Sequence, residues 1–81
     1  MAPLFWLAYQ TAKSRRVVIV RASHLIAARL RAAPVVEGIE DVAFVEGHEL
    51  PPAAAKKMPA GMVGRLLTAT EAERILDAME G

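Results

Sequence analysis

A metal centre or a nucleophilic site in this chain would have to start from two histidines, His24 and His48, and two serines, Ser14 and Ser23. Zinc is held by three or four converging nitrogen, sulfur or carboxylate ligands. His48 has Glu46 and Glu49 beside it, but no third fixed ligand accompanies them and the chain has no cysteine. We therefore expect no metal and no cofactor. Ser23 and His24 are adjacent, yet side chains of neighbours at a helix start diverge, and a nucleophile must meet its base within hydrogen-bond reach. Ser14 suits a turn and Ser23 a helix cap. The carboxylate pair Glu40-Asp41 flanks a strand start, and Glu71 with Glu73 sits where acids favour a helix N-terminus. Gly61-Met-Val-Gly64 lacks the glycine count and the lysine of a phosphate-binding loop. No residue is expected to be catalytic, and the chain reads as a non-enzyme.

Charge is more informative. Lys13, Arg15, Arg16, Arg21, Arg29 and Arg31 give residues 1–33 a charge of +6 with no acid among them. Residues 34–81 carry four cations and nine acids, for −5. Such a split suits a polyanionic partner for the first half, or attraction between the halves within one chain or across a dimer. Basic residues beside Phe5, Trp6 and Tyr9 would supply phosphate contacts and rings for base stacking, so nucleic-acid binding through the six cations is the alternative function. The isoelectric point near 8.2 is lower than the value above 9 usual for such domains.

These residues are expected to be positioned by a single small domain, because 81 residues leave little room for a second. Of the 44 hydrophobic residues 16 are alanine, so 28 larger ones build that core. No apolar run approaches bilayer length, and the apolar start precedes the basic residues, the reverse of a secretory signal. Residues 1–33 resemble a transit peptide only in composition, and the β-branched run Val17–Val20 places them in the fold. We expect a cytoplasmic protein.

Leu4–Gln10 reads as a strand with large side chains on both faces, and Arg15–Ala22 as a second, joined by the short polar Thr11–Ser14 turn. Ser23 is the expected N-cap of a helix that runs to about Ala33 and stops at Pro34. Leu25, Ile26, Leu30 and Ala33 are its expected buried stripe. A third strand over Asp41–Glu46 should end at Gly47. Chain direction allows it to pair antiparallel beside the first strand, in the order 2-1-3, or parallel beside the second. The first is expected, because it makes Leu4–Gln10 central, where large side chains on both faces are useful. Residues 53–58 form a short helix between prolines, and 60–67 a loose turn or short helix. Thr68 with Glu71, or Thr70 with Glu73, fits a capping box that opens a last helix with Ala72, Ile75, Leu76 and Met79 on one face.

The expected fold is thus α+β: a small, mostly antiparallel three-stranded sheet in β-β-α-β order, followed by two or three short helices, in one domain over 1–81. Its expected core is Leu4, Trp6, Leu7, Val18, Val20, Leu25, Ile26, Leu30, Val42, Phe44, Ile75 and Leu76. If the C-terminal helices leave one sheet face bare, Phe5, Trp6, Tyr9, Val17 and Ile19 become an interface. The expected function is protein–protein contact with a partner or with a second copy as a homodimer. No membrane and no small-molecule substrate is expected.

Overall fold

The computed structural model describes residues 2–80, with side chains up to Asp77. Its elements in chain order are β1 (Leu4–Gln10), β2 (Arg15–Arg21), α1 (Leu25–Val36), β3 (Ala43–Glu49), α2 (Pro52–Lys57), a 3-10 turn (Ala60–Met62), β4 (Leu66–Leu67) and α3 (Ala69–Glu80). The sheet runs β3-β1-β2-β4 with every strand pair antiparallel. The class is α+β, and the expected order of the first three strands holds. The sheet nevertheless has four strands and not three. Gly64 N–H donates to Ile19 O, and Leu66 and Leu67 then pair with Val18 and Val17 along the outer edge of β2.

Alternation along β1 and β2 divides the interior in two. Phe5, Leu7, Tyr9, Val18 and Val20 face α1. Leu4, Trp6, Val17 and Ile19 face the other way, against Leu50, Leu67, Ala72 and Ile75. A central strand with helices over both faces must be apolar at every position, which is how Leu4–Tyr9 reads. The proposed interface of Phe5, Trp6, Tyr9, Val17 and Ile19 is therefore corrected: all five are buried in the protein's own interior, because α3 and the β4 segment cover the second face.

The hairpin turn is organised by Thr11. Its hydroxyl donates to Ser14 O and accepts from Ser14 N–H and Lys13 N–H. The cap of α1 is His24 rather than Ser23. His24 lies in extended backbone and its Nδ1 accepts from Ala27 N–H at 3.2 Å. The helix also passes through Pro34 to Val36. The carbonyl of Leu30, which Pro34 cannot serve with an N–H, belongs to an exposed part of the helix, while continuing one turn further buries Val36.

β3 is displaced from its expected span and runs through Gly47. There the strand passes so close to the core that a Cβ would stand 2.7 Å from Leu7 Cδ2 and 2.9 Å from Leu25 Cδ1. Glycine is thus a fit to space at this position and not a terminator. Ala8 pairs with Glu46 and Tyr9 with Phe44, so Val45 is the extra residue of a β-bulge and is turned out to 43% exposure.

The start of α3 is the first of the two anticipated capping boxes. Glu71 N–H donates to Thr68 Oγ1 at 3.2 Å, and Thr68 N–H donates to Glu71 Oε1 at 3.1 Å. Arg65 adds an ion pair to the same carboxylate at 2.5 Å. The Thr68 amide first, and then Arg65, hold the Glu71 carboxyl below its ordinary pKa. A lowered folded-state pKa means that the stabilisation is present above the unfolded carboxylate pKa and is lost as pH falls through the folded value. Glu71→Gln should accordingly lower the melting temperature at pH 7, with the difference from wild type shrinking toward pH 3. A difference independent of pH would show that the carboxylate charge plays no part.

Candidate interaction surface

The helix α1 is mounted on the sheet by its smallest side chains. Ala28 and Ala32 are fully buried and Val36 nearly so, packed over Phe5, Leu7, Tyr9, Val18 and Val20. Those bulky strand residues fill the space beneath the middle of the helix, where Ala28 and Ala32 place only a methyl group between backbone and sheet. The rest of the helix is turned by this requirement. Ile26 is 69% exposed and Leu30 71% exposed, and Ala33 is exposed beside them. Positions 26, 30 and 33 lie on one helical stripe, so the aliphatic groups are contiguous. The expected buried stripe is corrected accordingly: Ile26, Leu30 and Ala33 face solvent and Leu25 is half-buried.

A shallow groove runs beside this stripe, between α1 and the sheet, lined by Tyr9, Ile26, Arg29, Leu30, Ala33 and Val36. Arg29 stands on its wall with the guanidinium carbon 4.2 Å from the centre of the Phe44 ring, a cation–π contact. The Phe44 ring in turn meets Tyr9 edge-on. Burial pushes the Tyr9 hydroxyl above its ordinary pKa, and the Arg29 charge draws it partly back. The groove is apolar with a cation at its side, and α1 carries no acid.

The six cations singled out in the sequence do not form one patch. Arg15 and Arg21 share the parity of Val17 and Ile19 on β2 and so belong to the α3 side, whereas Arg16 shares that of Val18. Arg16 Nε donates to Leu67 O at 2.9 Å, and Arg21 Nη1 donates to Ala2 O at 2.6 Å. Lys13 is at the hairpin tip, Arg29 is stacked on Phe44, and Arg31 is exposed further round α1. Nor do the two halves meet through ion pairs among the described residues, where the pair formed is Arg65–Glu71, both in the second half.

The remaining chemistry-bearing residues are also placed. The Nδ1 of His24 is taken up by the α1 cap, and His48 is stacked on Trp6 with ring centres 6.5 Å apart. Among the described residues no group of three or more histidine, aspartate or glutamate side chains could hold a metal. No helix among the described residues is long and apolar enough to cross a membrane.

On the α3 side, Ile75 and Ala72 are buried as expected, while Leu76 is 41% exposed. Met79 lies outside the residues whose side chains are described. Leu76 borders a cleft of about 240 Å³ between α3 and the sheet. Sequence reasoning missed both surfaces, since neither the Ala28/Ala32 mounting nor the cleft has a local signature. No protein-family model matches the chain, and no curated protein and no solved structure matches it either.

Proposed function

We propose that the protein is a non-enzymatic interaction protein whose contact surface is the outer face of α1. The observation that carries this reading is the inversion of the helix: alanines inward, Ile26 and Leu30 outward. Removing one such side chain from water is worth about 1.5–3 kcal/mol. A small domain that leaves two of them contiguous and exposed forgoes that stabilisation unless a partner provides it. The test is affinity capture from extract of the native cell with wild type and with Ile26→Glu/Leu30→Glu as bait. Both substitutions lie on the surface, so the variant should fold. The protein set retained by wild type should be missing from the variant, and an unchanged set sinks the reading.

The polyanion reading has weaker support. Phe5, Trp6 and Tyr9 are buried, so none presents an open ring face for a base, and the Arg16 and Arg21 side chains are held by backbone carbonyls within the protein. In a titration of labelled mixed-sequence DNA and RNA followed by anisotropy, no saturable binding is expected near physiological salt. Tight binding that falls steeply with salt and disappears in Arg15→Glu/Arg16→Glu would transfer the function to nucleic acid.

A further inference from the structure

We infer that the outer face of α1 docks into the α3-side cleft of a second copy of this chain, so that the protein associates head to tail. The inference rests on the reading of α1 as a contact surface and names its partner. The cleft has Trp6, Ala8 and Val17 of the sheet as its floor and Leu76 as a wall. Glu46 and Glu73 stand at its rim, with Arg15 as the single cation there. The opposing surface is apolar like the floor of the cleft and opposite to its rim in charge. Ile26 and Leu30 project from α1 as adjacent aliphatic groups, and Arg29 travels with them. Docking would put Arg29 beside acids. Pairing α1 with α1 across a two-fold axis would instead bring arginine toward arginine.

The faces dictate the symmetry. α1 packs on Phe5, Leu7 and Tyr9, whereas the cleft opens over Trp6 and Ala8, at alternate positions of the same strand. Projection and cleft therefore lie on opposite faces of the sheet, and one molecule can offer each to a different neighbour. A contact between unlike surfaces of identical chains is heterologous and continues as a ring or an open stack. Two 12-residue helices supply a contact smaller than the roughly 800 Å² per partner of a standard interface. The association should accordingly be weak and visible only between about 10 μM and about 1 mM.

Sedimentation velocity on three proteins tests this, with emission from Trp6, the single tryptophan, as a reporter on the cleft floor. Wild type should show a mean mass above 8.7 kDa that climbs with concentration and does not level at the dimer. The projection variant Ile26→Glu/Leu30→Glu keeps an intact cleft, and the cleft variant Glu73→Arg/Leu76→Arg keeps an intact projection. Each alone should be monomeric. Mixed, they should form a 1:1 complex and nothing larger, with a shift in Trp6 emission. If circular dichroism shows the cleft variant unfolded, Glu46→Lys/Glu73→Lys reverses the rim without touching Leu76. A mixture that remains monomeric overturns the proposal, as does a cleft variant that self-associates like wild type. Wild type monomeric to 1 mM overturns it too, and capture that still depends on Ile26 and Leu30 would then keep α1 as a surface for a different protein. Capture blind to those residues would sink the contact reading instead.

Discussion

Replacing Leu67 with alanine should destabilise the protein by about 2–5 kcal/mol, the range for deleting a fully buried leucine where the surroundings only partly relax. Leu67 is one of two residues in β4 and is completely buried. Its side chain packs with Leu4, Trp6, Val17, Ile19 and Ile75, and its carbonyl accepts from Arg16 Nε. The substitution keeps the backbone bond and removes the packing, so the loss is a measure of the second interior cluster. A domain of this size has a total stability of roughly 4–12 kcal/mol, so the variant is expected to be partly unfolded or to melt far below wild type. Urea denaturation followed by Trp6 fluorescence reads the loss, since Trp6 lies in the same cluster. A change under about 1 kcal/mol would mean that residues 63–67 are not seated on β2 as described.

The second large effect distinguishes the two sides of α1. Ala32→Leu should cost about 1–3 kcal/mol or more, because three added carbons meet a filled space between helix and sheet. Leu30→Glu, two residues away and on the opposite side, should change stability by no more than about 0.5 kcal/mol. The usual expectation for a leucine and an alanine on one helix is the reverse. Melting curves of the two variants decide it: a stable Ala32→Leu together with a collapsed Leu30→Glu would show that α1 is rotated from the orientation described.

That reversal marks where the sequence stops being legible. Strands β1 and β2 can be read because Leu4–Tyr9 and Val17–Val20 are large at every position, and the start of α3 because Thr68 and Glu71 form a reciprocal local cap. Helix α1 has no such local arbiter. Its stripes compete, and a ranking by hydrophobicity selects Ile26 and Leu30, whereas the volume of Phe5, Leu7 and Tyr9 selects Ala28 and Ala32. Gly47 shows the same limit: local sequence reads it as a strand end, and only the approach of Leu7 and Leu25 explains it. Strand β4 has two residues and exists only through its pairing with β2, at a separation of some fifty positions. The charge split was visible in the sequence, but carbonyls and an aromatic ring, not acids of the other half, engage Arg16, Arg21 and Arg29.

Whether the outer face of α1 touches another protein is decided by site-specific photo-cross-linking. A benzophenone amino acid is introduced at Leu30 and, separately, at Lys56, which is exposed on α2, and the native cells are irradiated. Position 30 should give discrete protein adducts, with none in common from position 56. No adduct at position 30, or the same adducts from both positions, would contradict such a contact.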